Sequence, residues 1–401
     1  MFPFKIVSYV KTLFIFSIFY SLAIGQDRQI TSECNPGCNN CTDNDTLIYI
    51  KAEGSNDTIH QIWDFTWSTP SLILAVTAKN SSMNITWNNR KPVNFAITKQ
   101  PIYSFAVSID KLYEYNDLED NGYIKNNSPQ RVVPLSRVTW ERKALIRTNQ
   151  EVMLQMHGHL KDNWRTGIVD IKLDMLPFSG YAVQLPHLIH TANSSLLDVA
   201  LVNVTTSRDY NASRLALRLL FASDDWANAS FVHTMRKSLD DEHTPGVFEI
   251  VELLSPECFS HGKGGFVQFR PVAYSQRERG VASSMPVRTS GFNRTRISKS
   301  SAVNAFYRDA NQRHVLVQEL LVSFGETGDG FYKHDNYTSW SLTVGWGAPP
   351  IEGFSGLVLG ILACGLAVPA ALAVGGALLA LLRRRRPHHP HHPRHRLLDD
   401  Q

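Results

Sequence analysis

Between Gly356 and Leu382 the chain runs for 27 residues without a charged side chain, more than the ~20 an α-helix needs to cross the hydrocarbon core of a bilayer. Inside lipid a helix satisfies every backbone hydrogen bond within its own segment. This run is therefore expected to be a transmembrane helix, residues 356–382. Four arginines, Arg383 to Arg386, follow at once. Basic residues beside a span stay cytosolic, so the tail 383–401 is expected inside and all that precedes the span outside. The same cluster matches a nuclear localisation signal, a reading the adjacent span disfavours.

The opposite end has the form of a secretory signal peptide, residues 1–25. Lys5 and Lys11 supply positive charge, and Leu13 to Ile24 is almost wholly apolar but short of a full span. Ala23 and Gly25 place cleavage before Gln26. The two ends together predict a single-pass type I protein with its ectodomain in the lumen. The net charge of +4 is already contained in the tail, where six Arg and two Asp follow Leu382. A neutral remainder offers no electrostatic footprint for nucleic acid.

Twelve of the 24 asparagines stand in N-x-[ST] sequons: Asn40, Asn44, Asn56, Asn80, Asn84, Asn126, Asn193, Asn203, Asn211, Asn228, Asn293 and Asn336. Chance would give about three or four. All twelve precede the span, the side on which the glycosylation machinery works. Sugar at this density hinders proteases by covering the backbone they must reach.

Cys34, Cys38, Cys41 and Cys258 precede the span and Cys364 lies within it. The first four are candidate disulfide cysteines in an oxidising compartment, with three connectivities open. C-x3-C-x2-C also resembles half a zinc site, but no matching pair follows and Asn40 within it is a sequon.

The ectodomain is expected to be mainly β and sandwich-like. Strand patterns rich in Val, Ile, Thr and aromatics begin at Thr46, Ser71, Asn84, Ser104, Gly167, Leu196, Phe266, His314 and Ser339. Many short strands without interleaved amphipathic helices pack as sheets on one another. Length suggests two β subdomains, 26–185 and 186–350, divided near Pro186.

Sites for chemistry are not evident. There is no G-x-S-x-G, H-E-x-x-H or P-loop, and "HGKGG" from His261 lacks the Walker spacing. His157 and His159 share one side of an apparent strand without an identifiable third ligand, so they are read as surface histidines. Asp240, Asp241 and Glu242 form a run, whereas calcium ligands are spaced through a loop; a solvated turn is the expected state. No catalytic, cofactor-binding or metal-ligating residue is assigned, and no enzyme activity is expected. Within the span, Gly356, Gly360 and Cys364 are spaced four apart, as are Ala363, Ala367, Ala371 and Gly375. Small residues at that spacing let another helix approach closely.

Three stretches carry a more specific signal: "SLDDEHTPGVFEI" from Ser238, "FVQFRPVAYSQ" from Phe266 and "SWSLTVGWGAPPIEGFSGLVLGI" from Ser339. They closely resemble the glycosylated lysosomal membrane protein family, with weaker similarity from Leu47 and Leu188 in the same order. The resemblance implies a lysosomal type I membrane protein without catalytic residues. It also implies an accessory subunit that associates with a major-facilitator-type lysosomal transporter of dipeptides and protects it from proteolysis. Family tails end in a Tyr-based sorting signal. This tail has no Tyr, and Leu397 and Leu398, with Pro393 where an acid is usual, are the candidate substitute. The cysteine pattern differs from that of vertebrate members, so no pairing is implied. A cell-surface adhesion or receptor-like protein and a lumenal hydrolase are the alternative functions. Two long sequon-free gaps, Asn126 to Asn193 and Asn228 to Asn293, are where a partner could approach; the second holds the loop Asp240 to Pro245, which is expected to touch or flank it.

Overall fold

Strand alternation builds the molecule. In the computed structural model, which describes residues 28–124, 129–162, 165–182, 188–239, 246–308, 315–353 and 356–384, every described ladder is antiparallel. Leu154, Met156 and Leu160 are buried while Gln155, His157 and His159 between them are half-exposed. One face of such a strand goes to the core and the other to water.

Two large sheets result. The first runs Gln29–Cys34, Leu47–Glu53, Asp57–Asp64, Ser71–Ala78, Tyr103–Asn116, Ser213–Ser223, Leu316–Phe324. Tyr103–Asn116 is long enough to hold Ser71–Ala78 along its first half and Gln130–Pro134 along its second. The second sheet runs Thr139–Arg147, Val152–Asp162, Arg165–Met175, Ser194–Val202, Tyr337–Trp346, Gly265–Phe269, Glu249–Leu254, Val232–Lys237. Ser284–Thr289 pairs with Val272–Tyr274 of the second sheet and with Leu316–Phe324 of the first, stitching the two together.

A single apolar layer fills the space between them. Leu74, Phe105, Val107, Leu217 and Phe221 from the first sheet meet Met156, Ile171, Val199, Trp340 and Leu342 from the second in one buried cluster. This is the sandwich the sequence patterns predict. Gly265 is required for it: a Cβ there would lie 2.1 Å from the Phe105 ring. The outer face of the first sheet carries a smaller apolar cluster under the hairpin Met83–Asn88/Lys91–Ile97 and the short helix Ala302–Phe306.

The expected division near Pro186 falls outside the described residues, and the segments on its two sides share both sheets. Tyr103–Asn116 pairs with Ser213–Ser223, and Ile168–Asp174 with Leu196–Val202. The β domain up to Glu352 is one compact unit, and the C-terminal helix belongs to another. That helix, Gly356–Arg384, contains a stretch, Val358–Arg383, long and apolar enough to cross a membrane. Pro369 sits in its interior, where it gives up a hydrogen bond to the carbonyl of Gly365.

Candidate functional surface

The chain leaving the last strand is held to the β domain at Gly347, Pro350 and Glu352. Gly347 N donates to Gly264 O at 2.9 Å, and the Cys258 thiol donates to Gly347 O at 3.3 Å. The register places Glu252 opposite both Gln268 and Thr234 on the outward side of the second sheet. Arg236 Nη2 binds Glu252 Oε1 at 2.6 Å, and Gln268 Nε2 donates to the same oxygen at 3.2 Å. Both donors also reach Pro350 O, each at 3.0 Å.

Two residues further on lies a buried ion pair. Arg270, at the end of strand Gly265–Phe269, binds Glu352 at 2.6 Å, with side-chain exposures of 1% and 5%. Charges taken out of water in this way are tolerated only when their remaining valences are filled. Here Glu352 also accepts from Ser238 Oγ at 2.5 Å and Leu239 N at 2.9 Å. Arg270 donates to Val247 O at 2.8 Å and Leu239 O at 3.4 Å. Leu239 and Val247 flank the segment 240–245, which itself lies outside the described residues. One guanidinium thus gathers both flanks of that segment and Glu352. The three family-like stretches from Ser238, Phe266 and Ser339 meet at this point. Sequence reasoning singled out the stretches but not Arg270 and Glu352; the signal was an arginine closing the apolar strand "GFVQF".

Of the described sequon asparagines, Asn193 lies beside the start of this segment, its carbonyl accepting from Trp346 N at 3.1 Å. Ten of the eleven described are exposed; Asn193 is half-buried, its Oδ1 accepting from Arg28 Nε at 2.7 Å. Asn126 lies outside the described residues. Asn193, Asn203 and Asn336 sit at strand ends of the second sheet, and none of the described sequons falls within one of its strands. Asn203 N donates to Asn336 O at 2.8 Å, so two sequons far apart in sequence are adjacent in space.

The remaining candidates do not come together. Cys38 is bonded to Cys41, whereas Cys34 and Cys258 are free thiols. Burial pushes the Cys258 thiol up to about 11, which keeps it protonated. His159 pairs with Glu141 at 3.1 Å and His157 with Asp170 at 3.6 Å. Among the described residues no group of three or more metal-ligating side chains is found. Nothing lies within 4 Å of where a Cβ would stand on Gly356 or Gly360, and Cys364 is exposed, so this stripe of the helix is open. Leu397 and Leu398 lie outside the described residues.

Comparison with known proteins gives one consistent result. The family model described as Glycosylated lysosomal membrane protein matches residues 46–387. A relative of that name from Mus musculus is 28% identical over 389 residues, covering 93% of this chain and 92% of its own length. The Homo sapiens relative is 28% identical over 390 residues with the same coverage. Glycosylated lysosomal membrane protein A of Xenopus laevis is 26% identical over 371 residues, 88% of this chain and 89% of its own length.

Proposed function

The chain belongs to the glycosylated lysosomal membrane protein family, and from that premise we propose that it is a non-enzymatic accessory subunit of a major-facilitator-type lysosomal transporter of dipeptides. Its β domain faces the lumen, the helix Gly356–Arg384 crosses the bilayer once, and residues 383–401 are cytosolic. The mechanism is mutual stabilisation. The glycan-bearing domain covers protease-sensitive lumenal loops of the transporter, and the open stripe of Gly356, Gly360 and Cys364 packs against one of its helices.

The observation that carries the reading is the Arg270–Glu352 junction. Pro350 O and the Glu352 carboxylate bind the segment after the last strand to the strands of the β domain, which gives that side of the domain a fixed surface. The junction also gathers the flanks of the Asp240–Pro245 loop, which lies in a long sequon-free gap. A sugar at a contact would hold the partner off, so a contact surface must be sequon-free.

The test is a glycan wedge. His243→Asn with Pro245→Ser creates the sequon Asn-Thr-Ser in that loop. Once occupied, it should abolish co-purification of the transporter and shorten its lifetime, while the variant still folds and leaves the endoplasmic reticulum. A complex that survives with the glycan in place removes this loop from the interface.

A further inference from the structure

Two sequons meet at one groove. Strands Ser194–Val202 and Tyr337–Trp346 pair antiparallel, and Val202 opposite Tyr337 is the last matched pair at their end. Each sequon asparagine stands one residue outside that pair, with Asn203 N donating to Asn336 O at 2.8 Å. A groove of about 360 Å³ opens there, lined by both asparagines, Val202 and Tyr337. The loop 275–278 and Asp335 complete its walls.

These parts are fixed to one another. Both asparagines take left-handed backbone angles, φ 50° at Asn203 and 52° at Asn336, a conformation Asn adopts more readily than most residues. One phenol holds the two turns together. Tyr332 Oη accepts from Val204 N at 3.0 Å and shares its proton between Leu201 O at 3.1 Å and Asn336 O at 2.9 Å. Arg279 ties the loop to both strands, donating to Asp198 Oδ1 at 2.8 Å and to Ser341 Oγ at 3.0 Å. A group bonded to one of these turns therefore meets a surface that needs no further ordering.

The surface matches a sugar. A pyranose carries C–H groups on its faces and hydroxyls around its edge. Val202 and Tyr337, both half-buried, supply apolar area, and the Arg277 guanidinium stands 5.8 Å from the centre of the Tyr337 ring. Gln276, Arg277 and Glu278 are exposed and bring both donors and acceptors. Asn203 and Asn336 are also exposed, so their amide nitrogens are accessible to substitution. Asn336 is the better placed of the two. Its neighbours Asp335 and Tyr337 both line the groove, whereas beside Asn203 only Val202 does.

We propose that this groove is the seat of the N-glycan on Asn336. The first N-acetylglucosamine residues lie over Val202 and Tyr337, with their hydroxyl and acetamide groups bonded to Gln276, Arg277 and Glu278. This sugar is then part of the packing at one end of the second sheet, not a freely moving shield. The inference rests on the lumenal orientation of the β domain, since the sugar is added only on that side.

The test uses the full-length protein from cells with a secretory pathway, held in mild detergent and treated with peptide-N-glycosidase. The enzyme leaves Asp in place of each released Asn, so mass spectrometry follows release site by site. It reaches a seated sugar only while that sugar is out of the groove, so release at Asn336 should be at least about tenfold slower than at Asn203 and Asn228 in the folded protein. After denaturation the three rates should match. Arg277→Ala/Glu278→Ala, changes at exposed positions, should bring the Asn336 rate up to the others in the folded protein with the melting temperature unchanged. Equal release at the three sites in the folded parent, slow release at Asn203 instead, or slow release at Asn336 that survives the double variant would overturn the seat. So would an Asn336 without sugar in a protein glycosylated at other sequons. A chain with no sugar at any sequon would overturn the lumenal orientation itself, and the seat with it.

Discussion

At the scale of single residues, the buried titratable groups set how the fold responds to acid. Burial is the main cause that raises Asp64 to about 6, against hydrogen bonds from Thr66 and Trp67 that pull the other way. Asp174 is likewise lifted to about 6. A raised carboxyl favours the folded state in its protonated form, so its contribution is complete below the unfolded pKa and is lost as pH rises through about 6. His60 has the opposite sign. Burial beside Tyr49 and Thr77 lowers it to about 4, and its contribution, present near neutrality, is lost as pH falls toward that value. Acidification from ~pH 7.5 to ~pH 5 thus gains from Asp64 and Asp174, and from Asp170, which burial also raises; it loses from His60, and from His190 and His233, which burial also lowers. Asp64→Asn, which fixes the uncharged form, should raise the melting temperature more at neutral pH than in acid; an equal shift at both would contradict the assignment. The Arg270–Glu352 pair gives a second residue-scale prediction. Glu352→Ala leaves a buried guanidinium without its carboxylate and should cost ~3–5 kcal/mol in denaturant unfolding. The double variant Arg270→Met/Glu352→Leu should recover part of that loss, because no lone charge remains.

At the scale of elements, sequence patterns were most legible where strand chemistry and burial agree. "LIYIKAE", "SLILAVTA" and "SWSLTVGW" have the β-branched and aromatic content of strands, and all three are strands. Ser213–Ser223, "SRLALRLLFAS", was not legible. Its Leu, Ala and Arg are good helix formers, yet it is the strand between Tyr103–Asn116 and Leu316–Phe324. Tertiary pairing overrides propensity there, and a bulge at Asp110 aims that carboxylate at Arg218, with Nε to Oδ1 at 2.8 Å. The junction was legible only as three family-like stretches. Its ion pair joins residues 82 apart in the chain, a separation that no local pattern encodes. An element-scale prediction follows from the closest approach in the core. Gly265→Ala would drive a methyl into the Phe105 ring, and overpacking of this kind costs ~1–3 kcal/mol. Adding Phe105→Leu should relieve part of it, measured as a rise in the unfolding midpoint over the single variant.

At the scale of the whole molecule, the chain combines a β sandwich that carries the described sequons with one long apolar helix. Endoglycosidase treatment should lower the apparent mass by well over ~10 kDa, at ~2 kDa for each occupied site. An unchanged mass would overturn the lumenal orientation. Sorting is expected to depend on more than the tail. With the transporter co-expressed, Leu397→Ala/Leu398→Ala should remain at least partly lysosomal, and complete transfer to the cell surface would show that the tail alone directs it. The central claim is that the protein exists to hold and protect a transporter. Its most direct test is purification of the full chain from native membranes under mild detergent, with mass spectrometry of what accompanies it. A major-facilitator-type transporter is expected in near-stoichiometric amount, with a lifetime that shortens when this chain is removed. Recovery of the protein from lysosomes without such a partner, or a transporter whose lifetime does not change, would contradict it.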